Sequence, residues 1–379
     1  MADREVYQEF MEWLGETWWR LTDSEMRLPM ITSYVTPEEA AFLAGFPRNM
    51  LETGKTLDEL AEAKQMDRDE LAPKLKQLCV KGLLNDRRGE DSIRYALNDS
   101  FFIFLRAIFW PGEENKTAES TAPHVNKYFL DGWFDQWADV HISGLRSLPI
   151  NETIGGEHEV LPFEDVSKVV DGFEYYSVSQ CPCKIRHNMD PGYQDSSKPT
   201  EVCLHFDELG RYAVENGMGR EITKEETLQI LRKAADAGLV HGITNWTDKP
   251  DTICNCCPDY CMWFEAYHKL DHGKSVDPSN YQVKVTPNTC KACALCVKRC
   301  PMDAIQLKVH AEATNKFRKA VSIDADVCIG CGVCVHKCPT KSIVLERREE
   351  TTEPPKDPGE FIGIYMGDRS AAMERREQE

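Results

Sequence analysis

Cys290-Lys291-Ala292-Cys293-Ala294-Leu295-Cys296-Val297-Lys298-Arg299-Cys300-Pro301 is answered further along by Cys328-Ile329-Gly330-Cys331-Gly332-Val333-Cys334-Val335-His336-Lys337-Cys338-Pro339. Both halves read C-x2-C-x2-C-x3-C-P, an internal repeat that is hard to obtain by chance. Thiols at i, i+3 and i+6, closed by a fourth before proline, do not follow the zinc pattern. Structural zinc uses C-x2-C pairs well separated in sequence. Disulfides need an oxidising compartment. The N-terminal MADREVYQEF carries no basic n-region, apolar h-region or twin arginine that would direct export. A reducing cytoplasm, with thiols free for metals, is the expectation.

The repeat resembles the bacterial-type ferredoxin domain that carries two [4Fe-4S] clusters. A cubane cluster needs four thiolates at the corners of a tetrahedron. A triplet loop wraps three of its irons, and in this family the fourth thiolate comes from the opposite half. The resemblance implies one cluster on Cys290, Cys293, Cys296 and Cys338 and another on Cys328, Cys331, Cys334 and Cys300. It also implies that the exchange staples the halves together and brings the clusters within hopping distance. Residues 283–285 and 304–307 are expected to pair as strands around the first cluster, and 321–323 and 342–345 around the second. The insert 309–319 is polar and partly basic (His310, Lys316, Arg318, Lys319), and reads as a solvated loop or a partner contact.

A chain of 379 residues, 41% hydrophobic and 28% charged, suggests two or three globular domains. Its formal charge of −18 argues against nucleic-acid binding and suits a cationic or neutral protein partner. The longest apolar run, residues 101–110, is broken by Arg106 and too short to span a bilayer. Of 16 cysteines, eight belong to the repeat, seven fall between 181 and 261, and Cys79 stands alone on a helical stretch as a small buried hydrophobe.

The architecture expected is α+β and multidomain. Residues 1–112 form a first domain. Phe10, Trp13, Leu14, Trp18 and Trp19 make an aromatic stripe at its start, which packs onto its own domain or joins a second copy. Thr36-Pro37-Glu38-Glu39 and Thr56 onward open two helices. A third, about 69–80, puts Leu71, Leu75 and Leu78 on one face and stops at Gly82. A hairpin follows around residues 85–91. Three helices and a hairpin resemble a winged-helix domain. Residues 56–98 hold eight Lys/Arg against nine Asp/Glu, and the third helix opens on Asp67, Asp69 and Glu70. That balance favours a docking or structural role over DNA reading. Residues 101–110 read as a buried helix and 113–125 as a polar linker.

Residues 126–280 make an α/β cysteine-rich middle domain. It holds Cys181, Cys183, Cys203, Cys254, Cys256, Cys257 and Cys261, with helices at about 207–216 and from Thr223 to Gly238 between the groups. The stretch resembles the CPC…C…ICNCC segment of multidomain iron–sulfur proteins from anaerobes, though this chain has Pro258-Asp259-Tyr260 where that family often has further cysteines. Cys254-x2-Cys257-x3-Cys261 echoes the downstream spacing, leaving Cys256 as the odd one out. A third iron–sulfur cluster, a structural zinc, or thiol chemistry at a subset of the seven all fit. His187 and His205 read as hydrogen-bond partners of such a site rather than ligands.

The ferredoxin domain is expected over 281–348, and a charged, mostly extended tail over 349–379, with an apolar island at 361–366 clipped onto this or another subunit. No G-x-G-x-x-G or G-x4-G-K-[ST] fingerprint occurs. The function expected is electron relay, as a subunit of an anaerobic oxidoreductase served by redox partner proteins. The rivals are a redox-sensing winged-helix regulator and an iron–sulfur enzyme acting at the 181–261 cysteines.

Overall fold

The computed structural model describes residues 2–17, 21–47, 54–89, 92–98, 102–112, 115–134, 140–155, 160–193, 197–273 and 275–378. Trp18, Trp19, Glu90, Asp91 and Phe101, on which some expectations fell, lie outside them. The chain divides into two units, residues 1–139 with 177–221 and residues 140–176 with 222–379. Those are not the lines at 112, 125 and 280 suggested by composition.

In the first unit, the helix Ala2–Gly15 buries Tyr7, Phe10, Met11 and Leu14. The Tyr7 hydroxyl donates to the Val35 carbonyl at 2.6 Å, and of the expected stripe Phe10 and Leu14 are buried while Trp13 is half-buried. Thr36 and Thr56 each start a helix, Pro37–Leu43 and Leu57–Lys64, with a complete capping box closed by Glu39 and Glu59. The helix Arg68–Val80 buries Leu71, Leu75 and Leu78 at the 3.6-residue period. Strands Leu84–Arg88 and Ile93–Leu97 pair antiparallel with Asp86 opposite Tyr95, and Lys55–Thr56 adds a short third strand.

The boundary at 112 disappears because later sequence completes this core. The Tyr212 hydroxyl, on the helix Asp207–Glu215, donates to the Leu84 carbonyl at 3.0 Å and accepts from Asn98 at 3.1 Å. The expected linker is also corrected. Its described residues form the short helix Lys116–Glu119 and the start of Ala122–Tyr128, burying Ala118, Ala122 and Val125. Small alanines let helices pack closely where composition suggested only a polar spacer. Strands Tyr176–Gln180, Glu201–Phe206 and Arg220–Glu221 lie beside one another, with Tyr176–Gln180 in the middle.

In the second unit, strands Leu145–Leu148, Val240–Thr244 and Thr252–Cys256 run antiparallel, with Ser147 opposite Gly242 and Gly242 opposite Cys254. A side chain at Gly242 would meet Leu145 at 2.8 Å. The helix Lys224–Ala237, opened by Thr223 and ended by left-handed Gly238, buries Ile230, Leu231 and Ala234. Strand pairing in the repeat region differs from expectation. Tyr281–Val285 pairs with Ile343–Arg347, and Ile305–Val309 pairs with Lys319–Ile323. Each sheet thus takes one strand from each half, because the halves interleave rather than stand side by side. Residues 310–318 are therefore the tip of a hairpin.

The repeat region is built into its unit. Gly155 donates to the Leu345 carbonyl at 2.8 Å, and Ile150 donates to the Cys331 carbonyl at 3.2 Å. Glu164, fully buried beside Arg146, accepts from the Asn280 backbone at 2.8 Å. The tail is a helix, Pro358–Gln378, not an extended strap. Phe361 and Tyr365 fall four residues apart on one face and are both buried, with Phe361 against Trp246. The charge-rich remainder is made of good helix formers, so low hydropathy did not mean an open chain. Among the described residues, no helix is long and apolar enough to cross a membrane.

Candidate metal centre

Cys290, Cys293, Cys296 and Cys338 line one pocket, together with Lys291, Ala294, Leu295, Pro339, Thr340 and Ser342. Three of these thiols come from the first half, and the fourth arrives through the strand exchange. Burial, reinforced by Cys338, Cys290 and Cys293, pushes the Cys296 thiol up to about 11. Burial raises Cys338 too. Hydrogen bonds from the Ser342 and Thr340 hydroxyls, 3.6 and 3.7 Å away, and their backbone outweigh it and hold this thiol below its usual range.

The other four gather the same way. Burial, with Cys328 and Cys300 adding to it, pushes Cys331 up to about 12. Burial with Cys331, Cys300 and Cys328 carries Cys334 well above the ordinary thiol range. Cys300 is raised by burial, with Cys328 beside it. Ionising several thiols in so small an apolar space is unfavourable unless a strongly positive centre compensates them. Cys334 and Cys296 share an apolar core with Ile305, Val321 and Ile343 between the two sets.

Backbone geometry repeats across the halves. Residues flanking the second cysteine of each half have positive φ: Ala292 (56°) and Ala294 (59°), then Gly330 (67°) and Gly332 (77°). Asp303 (54°) and Lys341 (50°) match in the same way, each two residues after the Cys-Pro proline. Alternating left-handed residues turn successive N–H groups inward, making a concave nest for negative charge. Ala292 N–H lies 3.4 Å from the Cys290 sulfur and Ala304 N–H lies 3.3 Å from that of Cys300. Sequence spacing did not reveal this device, although the Gly330/Gly332 pair hinted at it. The donor set, thiol-rich and cradled by N–H groups, fits a thiolate-ligated iron–sulfur cluster at each set.

A family model described as a 4Fe-4S dicluster domain matches residues 289–342, a span that includes all eight cysteines. The C-terminal segment is a ferredoxin-type iron–sulfur domain. No curated protein matches the chain.

The two sets differ in part in exposure: Cys293 is the exposed thiol of the first set, beside buried Cys290, whereas in the second Cys331 and Cys334 are buried and Cys300 and Cys328 half-buried. Arg299, on the helix Leu295–Arg299, donates to the Val333 carbonyl at 3.1 Å and to the Ala235 carbonyl at 2.9 Å. That places a cation at the C-terminal end of the helix Lys224–Ala237, where the dipole favours it.

The seven cysteines of 181–261 fall in different units. In the first, Cys181 is the N-cap of the helix Pro182–Asn188, and its thiol hydrogen-bonds Cys183, which with burial raises it well above normal. Cys203 is buried among Ala107, Trp110 and Tyr212, with Arg106 Nη2 3.7 Å from its sulfur. His205 packs on Trp110 and His187 stacks on Tyr193. In the second unit, Cys256 hydrogen-bonds Cys254 and Cys261, which together with burial raise it strongly. This corrects the expectation that Cys256 stands aside. Residues 254 and 256 share a face because strand period is two, while Cys257 begins the turn and its carbonyl accepts from Cys261 N–H at 3.0 Å. Among the described residues, no group of three or more His, Cys, Asp or Glu side chains is placed to hold a single metal ion.

Proposed function

We propose that this chain is an electron-transfer protein whose two [4Fe-4S] clusters are held by Cys290, Cys293, Cys296 and Cys338 and by Cys328, Cys331, Cys334 and Cys300, and that it serves as the relay subunit of an oxidoreductase. The observation that supports this most is the interleaving of the two halves, which gathers each foursome around its own space with a shared apolar core between. When bound, such clusters take up and release single electrons. The chain's own work is to supply thiolates, aim N–H groups at them, and bury Cys331 and Cys334 more deeply than Cys293. Anaerobic purification with iron and acid-labile sulfide counts is the test. About eight irons with matching sulfide support two clusters, and four or fewer would sink the reading.

A third iron–sulfur site belongs to the same reading, confined to the Cys254, Cys256 and Cys261 group of the second unit. The closeness of Cys254, Cys256 and Cys261 supports it, on a strand and helix start that are both ordered. Iron near twelve per chain would reveal it. The winged-helix-like hairpin of the first unit we read as a docking module. Its third helix opens on Asp67, Asp69 and Glu70, which repel a phosphate backbone. Specific duplex binding at about 0.15 M salt would promote the regulator instead.

A further inference from the structure

The segment around Cys293 carries charge of the wrong sign for the chain as a whole. From Lys291 to Lys319 there are seven Lys/Arg against Asp303 and Glu312, in a chain of net charge −18. Arg299 is engaged with backbone carbonyls, and the other six are exposed: Lys291, Lys298, Lys308, Lys316, Arg318 and Lys319. The hairpin tip that bears Lys316 and Arg318, with Lys319 opening its second strand, is fastened to the loop leading into the first cysteine set. Asn315 Nδ2 donates to the Cys290 carbonyl at 2.8 Å, and the Thr314 hydroxyl donates to the Asn288 carbonyl at 2.7 Å. Ala313 and Ala320 pack with Cys290 itself. The tip is therefore held at the rim of the site rather than waving in solvent.

The same rim shows apolar surface. Phe317 is 56% exposed with Lys316 Nζ 4.9 Å from its ring centre, and Leu295, which lines the Cys290 pocket, is 38% exposed. Large exposed side chains ringed by one sign of charge are the composition of a short-lived protein interface, where charge steers the encounter and apolar contact completes it. In the second set Cys331 and Cys334 are buried and Cys300 and Cys328 half-buried, whereas Cys293 of the first set is exposed, so the Cys293 face is the short way out for an electron.

We infer that this basic face docks an acidic one-electron carrier protein, which exchanges electrons with the Cys290 set. This rests on the electron-transfer reading above. It opposes the partner charge implied by the composition, because a partner meets the local field within a Debye length and not the whole chain. In the productive encounter, one electron leaves the carrier's anionic flavin hydroquinone, which becomes the neutral semiquinone, and enters the chain.

The test follows reduction of the intact, cluster-loaded chain by a reduced acidic flavodoxin, by stopped flow. A reduced chain passing electrons to a cationic c-type cytochrome serves as the comparison. For the wild type, the flavodoxin rate should fall at least tenfold between about 0.02 and 0.5 M salt. The triple variant Lys316→Glu, Arg318→Glu, Lys319→Glu should be at least tenfold slower at low salt and nearly equal to wild type at high salt. Phe317→Ser should be slower at both. Dithionite, a small reductant, should bleach all three proteins equally. Equal flavodoxin rates in wild type and triple variant at low salt would overturn the docking face alone. So would a triple variant that slows the cytochrome more than the flavodoxin, or duplex DNA held by wild type and released by the triple variant. No dithionite bleaching in any of the proteins would overturn the electron-transfer reading and this inference with it.

Discussion

Nε2 of His268 donates to the carbonyl oxygen of Pro301 across 2.8 Å. His268 sits on the helix Met262–Leu270, whose N-cap is Cys261, and Pro301 follows Cys300. Tyr267 on the same helix donates from its hydroxyl to the Met302 carbonyl at 3.5 Å. One helix thus ties the Cys254/Cys256/Cys261 neighbourhood to Cys300, the fourth thiol of the Cys328 set. Seven residues at 1.5 Å rise separate the two ends by about 10 Å.

Replacing His268 by Ala should loosen the Cys300 turn without removing a thiol. The lost hydrogen bond is partly exposed, so a stability loss of about 1 kcal/mol is expected. Iron content should stay at the wild-type value, while air should bleach the cluster signal faster. A variant that matches wild type in both urea midpoint and air sensitivity would show the contact to be incidental.

The crossed fourth thiols make a reciprocal prediction. Cys300→Ala should perturb the paramagnetic signal of the set on Cys328, Cys331 and Cys334. Cys338→Ala should perturb that of Cys290, Cys293 and Cys296. Loss at the half carrying the substitution, instead of its opposite, would contradict the exchange.

Gly330 and Ala292 occupy the same place in the repeat, both at positive φ. A side chain at Gly330 would overlap the Tyr281 carbonyl and the Ser279 hydroxyl, and one at Gly332 would overlap the Thr153 hydroxyl. Gly330→Ala should therefore cost about 3 kcal/mol and empty the Cys328 set. Ala292→Gly, in the open loop, should leave both sets loaded. Iron counts on the two variants decide it, and a Gly330→Ala chain that stays fully loaded would show that the close approach to Tyr281 and Ser279 does not control the site.

The C-x2-C-x2-C-x3-C-P repeat made this region legible because ligand spacing is a local constraint that sequence records directly. Capping boxes at Thr36 and Thr56 and the 71/75/78 stripe were legible for the same reason. The strand pairing 281–285 with 343–347 was not, since it joins residues some sixty positions apart and either pairing satisfies the local alternation. The tail misled because charge density was read as openness, while Phe361 and Tyr365 sufficed to dock a helix. Cys256 misled because adjacency to Cys257 was weighed above the two-residue period that turns it toward Cys254.

His241 offers a pH test of the second unit. It lies on the strand Val240–Thr244, is 3% exposed, and its Nδ1 is 2.6 Å from Asn255 Oδ1. Burial, opposed by the Asn255 hydrogen bond and Glu152, lowers its pKa to about 4. An unfolded chain would protonate this imidazole near 6.5, whereas the folded chain holds it neutral until about pH 4. The unfolded state then binds more protons throughout that window, so stability is full above about pH 6.5 and falls as acid is added. The total loss by pH 4 is about 3 kcal/mol, most of it already visible at pH 5. His241→Gln keeps an N–H for Asn255 and cannot titrate, so its urea midpoint should change less between pH 7 and 5, measured anaerobically on the loaded chain. Identical pH slopes for variant and wild type would assign the acid sensitivity to another group.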